Sequence, residues 1–137
     1  MKRKFQSLNT GEARQYLSKF IFTRKITTVH MHHTWKPNIK QWRKKPDGLY
    51  WQNVMYRNHT INRGWSDIGQ HFTVDPEGAV WLGRDLNQDP ASIYNHNSGA
   101  ISIEIIGDFD TEILKGKRKK ATVEVVQAIL KVCDLGK

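Results

Sequence analysis

Between residues 25 and 33 the chain alternates, with Ile26, Thr28, His30 and His32 on one face of an extended segment and Thr27, Val29, Met31 and His33 on the other. The segment reads as a strand with histidines on both sides. Trp35-Lys36-Pro37 ends it, because proline cannot donate to a ladder and restricts the residue before it. Upstream, Asn9 followed by Glu12 signals a capped helix start, and Ala13, Tyr16, Leu17 and Phe20 predict one apolar side over about residues 10–19. After the breaker Pro46-Asp47-Gly48, the helical spacing of Trp51, Val54, Met55 and Asn58 predicts a helix within 49–59 that covers part of a sheet. Asp75-Pro76-Glu77-Gly78 suits a type I turn joining Gln70–Val74 to Ala79–Leu82 as a hairpin. Ile101–Ile106 is a further strand, and Val123, Val126, Ile129, Leu130 and Cys133 give a closing helix over about 122–133. The sum is α+β: a small mixed sheet with helices packed on it. No repeat, low-complexity tract or linker divides the chain, so residues 1–137 are expected to form a single domain with one core.

Composition narrows the functional classes. No apolar stretch approaches the roughly 20 residues of a membrane span, and the charged start Met1-Lys2-Arg3-Lys4 has no apolar segment after it, so no secretory signal is expected. The chain is expected to be a monomer, cytoplasmic until released by another route. The single cysteine, Cys133, excludes an internal disulfide and sits in an apolar periodic stretch, which predicts a buried small hydrophobe. A net charge of +9 favours encounters with polyanions, nucleic acid and the anionic bacterial wall alike. The run Lys115–Lys120, with five basic residues in six positions, reads as a solvated loop and helix start. Lys36, Lys40, Arg43, Lys44 and Lys45 form a second basic stretch, placed beside the histidine run where an anionic substrate could meet it.

The chemistry is concentrated at the end of the first long strand. Neutral imidazole binds Zn²⁺ through one nitrogen while an acceptor holds the other. Adjacent histidines on a strand point apart, so His32 and His33 do not easily share a metal, whereas His30 and His32 can reach the same side. Glu104 is the one charged residue in the apolar strand Ile101-Ser102-Ile103-Glu104-Ile105-Ile106. Burial would raise its pKa toward the range of a general base. In Arg63–Phe72, Trp65, Ile68 and Phe72 read as core, Asp67 as a turn organiser and His71 as a satisfied core histidine.

Three segments together, Val29-His30-Met31-His32-His33-Thr34-Trp35, Arg63-Gly64-Trp65-Ser66-Asp67-Ile68-Gly69-Gln70-His71-Phe72 and Tyr94-Asn95-His96-Asn97-Ser98-Gly99-Ala100-Ile101-Ser102-Ile103-Glu104, carry a family resemblance. They resemble the zinc-dependent N-acetylmuramoyl-L-alanine amidases of the type-2 amidase and peptidoglycan-recognition family. The resemblance implies that His32, first histidine of His-His-Thr, is a zinc ligand and that His30 is structural or faces substrate. It implies that Glu104 is the catalytic glutamate of the Glu-type branch. Trp35 and the loop Asn95-His96-Asn97 would line the cleft, contacting substrate or bracing the loop. Some members use a tyrosine near the zinc; here that position is Gln70, and an amide cannot act as a general acid or base. The resemblance extends over about residues 24–133. Family members then continue to a strand with a second zinc histidine and a segment carrying a third ligand, Asp or Cys. Asp134-Leu135-Gly136-Lys137 cannot supply them, and a catalytic zinc usually has three protein ligands. The chain therefore reads as C-terminally truncated, its zinc weak or absent unless His30, His71 or His96 joins His32.

Three functions follow. The first is zinc-dependent hydrolysis of the N-acetylmuramoyl-L-alanine amide of peptidoglycan, and the second is a non-catalytic remnant that binds muropeptide. The third is a basic nucleic-acid binder, suggested by charge, Asn58-His59 and Asn95-His96-Asn97. It ranks last, since those residues lack a metal-nuclease spacing and no aromatic–basic platform is legible.

Overall fold

The computed structural model describes residues 2–135; the expected chain end at Lys137 lies outside them. Five strands, β1 (Ser7–Leu8), β2 (Thr28–His33), β3 (Phe72–Val74), β4 (Val80–Leu82) and β5 (Ala100–Ile105), form one mixed sheet in the order β1-β4-β3-β5-β2. β5 pairs in parallel with β2 and β3, while β4 pairs antiparallel with β3 and β1. Helices α1 (Thr10–Lys19) and α4 (Gly116–Val132) share one core with the sheet, in which Leu17, Phe72, Ile101, Ile103 and Ile129 are fully buried. A smaller core of Phe5, Met55 and Ile68, with Tyr56 and Trp81 against it, involves α3 (Gly48–Arg57), which follows α2 (Ile39–Lys44). No helix among the described residues is long and apolar enough to cross a membrane.

The capped helix expected over 10–19 forms with those bounds, and Asn9 and Glu12 make the reciprocal capping box. The hairpin also forms. Asp75 accepts from the backbone N–H of Glu77 and Ala79 and from the Trp81 indole, and Gly78 takes the left-handed conformation that closes the turn. Strand β2 is shorter than the alternating pattern, beginning at Thr28 rather than residue 25. The two-residue β1, the six-residue α2 and a π-helical turn at Asn58–Asn62 carry no period long enough to read in advance. Cys133 is half-buried at the α4 C-cap rather than enclosed, and burial raises its thiol pKa.

The closing helix corrects the reading of the basic run. α4 begins at Gly116, so Lys117–Lys120 are helical, and Arg118 is buried rather than solvated. Its guanidinium donates to the Ile106 carbonyl at 2.8 Å and to Glu112 Oε1 at 2.9 Å, and lies 4.7 Å from the centroid of the Phe109 ring. Glu112 Oε2 accepts from the backbone N–H of Ile39 and Asp108. One half-buried carboxylate thus joins α2, the loop after β5 and α4. Burial alone would raise its pKa, but these hydrogen bonds and Arg118 together hold it below the usual carboxylate range.

Removing one partner of a buried pair strands the other charge, so Arg118→Met is expected to cost about 3–5 kcal/mol. Arg118→Met with Glu112→Gln should recover much of that loss in denaturant titrations. Because the folded pKa of Glu112 is depressed, its contribution is complete above the ordinary carboxylate pKa and is lost as pH falls through the folded value. Acid unfolding of the wild type should therefore be steeper than that of Glu112→Gln.

Candidate functional site

The parallel register of β2 on β5 sets His30 beside Ser102 and His32 beside Glu104. Neighbours in register project to the same face, so both histidines and the glutamate share one side of the sheet. On that side His32 Nε2 lies 3.0 Å and His30 Nδ1 3.2 Å from the hydroxyl of Ser92, and Ser102 Oγ donates to the same hydroxyl at 3.1 Å. Nothing in the sequence singled out Ser92; a serine in Asp89-Pro90-Ala91-Ser92 has no periodicity or motif to flag it. Its position is set by Asn97, whose Oδ1 accepts from the N–H of Ser92 and Ile93, both at 2.9 Å. Asn97 therefore braces the loop, while Asn95, at φ 64°, and His96 are exposed on it.

His33 faces the other way, as alternation requires. Its Nδ1 accepts from the Phe109 N–H at 2.8 Å, and its ring stacks on Phe109. Trp35 is exposed at the end of the strand, held at φ 61° with its N–H donating to the Gly107 carbonyl at 2.8 Å. His71 lies inside the protein. Ser102 N–H donates to its Nδ1 at 3.0 Å, and its Nε2 meets the Gln88 carbonyl at 2.8 Å. Both nitrogens are engaged, and burial pushes its pKa down to about 4, which leaves it a core histidine.

Burial raises the Glu104 carboxyl to about 8. Burial also lowers His30, with His32 and His96 adding to the effect, and lowers His32, with His33 adding. This side of the sheet thus favours neutral forms of all three groups near pH 7. On the other flank of Glu104 its register partner is Thr73, whose hydroxyl accepts from the Gln70 amide at 2.9 Å. The Gln70 amide also reaches Met55 Sδ, so it is spent on packing beneath the cleft.

Among the described residues, His30 and His32 gain no third ligand. Among the described residues, the one group of three metal-binding side chains whose donor atoms lie within 4.8 Å of one another is His33, Asp108 and Asp110. His30, His32 and Glu104 do not converge in that way, and the His32 nitrogen facing the cleft is held by Ser92. Among the described residues, His30 and His32 therefore do not make up a catalytic zinc site with three protein ligands.

The sequence profile of the N-acetylmuramoyl-L-alanine amidase family matches residues 22–136. Peptidoglycan-recognition protein LB of Drosophila melanogaster is 32% identical over 85 residues, covering 62% of this chain and 36% of that protein. An N-acetylmuramoyl-L-alanine amidase of Sus scrofa is 33% identical over 88 residues, covering 62% of this chain and 14% of that protein. The chain thus spans well under half the length of either relative. The solved structure of Drosophila PGRP-LB superposes with a TM-score of 0.70 at 27% identity, covering 80% of this chain and 64% of that one. A variant of the same protein, solved in complex with tracheal cytotoxin, gives 0.71 at 27% identity with the same coverage.

A carboxyl whose folded pKa lies above its unfolded value weakens the fold as pH rises between the two. In metal-free protein kept in chelator, Glu104→Gln is expected to match the wild type in thermal stability near pH 5 and to exceed it near pH 9. Parallel pH dependence in the two proteins would place the raised carboxyl elsewhere.

Proposed function

Because the chain belongs to the N-acetylmuramoyl-L-alanine amidase family, we propose that it engages peptidoglycan in the cleft between β2, β5 and the Ser92–Asn97 loop, with the muramoyl–L-alanine amide as the bond addressed. The observation that carries this reading is the register pair His32–Glu104, with the glutamate raised to about 8. The ionised fraction of a carboxyl that titrates near 8 can take a proton from attacking water and return it to the leaving amine of the stem peptide. Glu104 is the group on this face suited to that task, since Gln70 cannot exchange a proton. On this reading His30, Trp35, Asn95 and His96 contact the muropeptide, and Asn97, which accepts from the N–H of Ser92 and Ile93, fixes the loop that carries two of them. The complex of a PGRP-LB variant with tracheal cytotoxin supports a muropeptide-sized ligand.

Zinc is the cofactor that the family resemblance implies, with His32 as its ligand here. The described residues do not complete that site, so no step is drawn through a metal. The Ser92 hydroxyl on His32 Nε2 favours a second reading, in which this site binds muropeptide without cutting it.

Co-sedimentation with purified sacculi, paired with an assay for freed L-alanine amino groups in added zinc, separates the two. The wild type is expected to sediment with sacculi and to release amine. Glu104→Gln should keep binding and slow release by about 10²–10⁴-fold, the effect of a lost general base. His32→Ala should lower zinc uptake. Binding without release by the wild type selects the second reading, and absence of binding overturns both.

A further inference from the structure

Ten positions from Lys36 to Lys45 carry five cations and no carboxylate. All five side chains are exposed, and none is ion-paired among the described residues. Lys40, Arg43 and Lys44 fall at the i, i+3, i+4 spacing that places them on one side of α2. The helix is fixed from beneath: Trp42 is buried, Asn38 and Gln41 form a capping box, and the Ile39 N–H donates to Glu112. An exposed aromatic ring stands at each end of the strip. Lys36 Nζ lies 4.9 Å from the Trp35 ring centroid, and Lys45 Nζ 5.1 Å from that of Tyr50. Trp35 holds a left-handed backbone conformation that bulky residues rarely adopt, two positions beyond His33.

We propose that Trp35 and this cationic strip form an accessory surface for a phosphodiester-linked polyol polymer attached to the bacterial wall. The inference rests on the peptidoglycan reading above, since wall attachment is what brings such a polymer beside the cleft. Like charges crowded without acidic partners repel one another, and a ligand of repeated negative charge relieves that repulsion. Four of the five cations are lysines, which suit phosphate as point charges; planar carboxylates favour the fork of arginine. Five cations within ten positions match a chain of anions better than the isolated carboxylates of a stem peptide. Nucleic acid is disfavoured because lysines already lie against the Trp35 and Tyr50 rings on which bases would stack.

The test uses soluble poly(glycerol phosphate), sacculi with and without hydrofluoric-acid removal of phosphodiester polymers, and duplex DNA. The variant is Lys40→Gln/Arg43→Gln/Lys44→Gln, and the control with equal charge loss is Lys115→Gln/Lys119→Gln/Lys120→Gln. The wild type should bind poly(glycerol phosphate) with affinity that falls with salt, and the strip variant should lose roughly two units of slope in log affinity against log salt. The control should retain the wild-type slope. On stripped sacculi the wild type and the strip variant should bind alike. Equal loss in both variants, wild-type indifference to phosphodiester removal, or tighter strip-dependent binding of DNA would each overturn the proposal. Strip-dependent binding of poly(glycerol phosphate) without any binding to stripped sacculi would uphold it and overturn the peptidoglycan reading instead.

Discussion

Parallel pairing of β2 with β5 is the constraint on which the cleft depends. Side chains alternate along a strand, so a slip of one residue would carry His30 and His32 to the α1–α4 side and bring Met31 and His33 into the cleft. Backbone bonds beyond both ends hold the register. Thr27 N–H donates to the Gly99 carbonyl at one end, and the Thr34 and Trp35 N–H groups donate to Ile105 and Gly107 at the other. Gly99 also admits Thr27, whose Oγ1 would lie 2.7 Å from any Cβ at that position. Glycine is needed there by both its positive φ and the close approach of β2.

A second constraint acts from outside the sheet. Glu112 receives the N–H of Ile39, the N–H of Asp108 and the Arg118 guanidinium. It thereby sets α2 relative to the end of β5, and so the cationic strip relative to the cleft. Thr34 ties the same corner, donating to the Pro37 carbonyl and accepting from the Gly107 N–H. The strand end, the loop after β5 and the first turn of α4 consequently behave as one polar knot.

Much of this architecture was legible in the sequence because it follows strong local rules. The α1 capping box, the Asp75–Gly78 turn and the alternation of residues 28–33 each involve residues within a few positions of one another. The pairing of β2 with β5 spans about seventy residues and was reachable only through the family resemblance. Residues that act across such distances stayed hidden. Ser92 is an ordinary loop serine until Asn97 and the two histidines are brought to it, and Arg118 looks solvated until Glu112 and Phe109 enclose it. The basic run reads rightly as a helix start, but its inward residue is an arginine, and charge in place of an apolar period hides the burial of Arg118.

The hydroxyl of Ser92 has one hydrogen and three polar neighbours. With Ser102 donating to it, that hydrogen can go to only one imidazole, and the nitrogen of the other ring must arrive already protonated. The neutral rings of His30 and His32 are therefore complementary in proton placement, and neither can change tautomer without the hydroxyl turning in step. A proton entering this side of the sheet is shared by the trio: one ring can hand it to the Ser92 oxygen as that oxygen gives its own hydrogen to the other ring, and the hydroxyl then turns about its C–O bond to restore the starting arrangement.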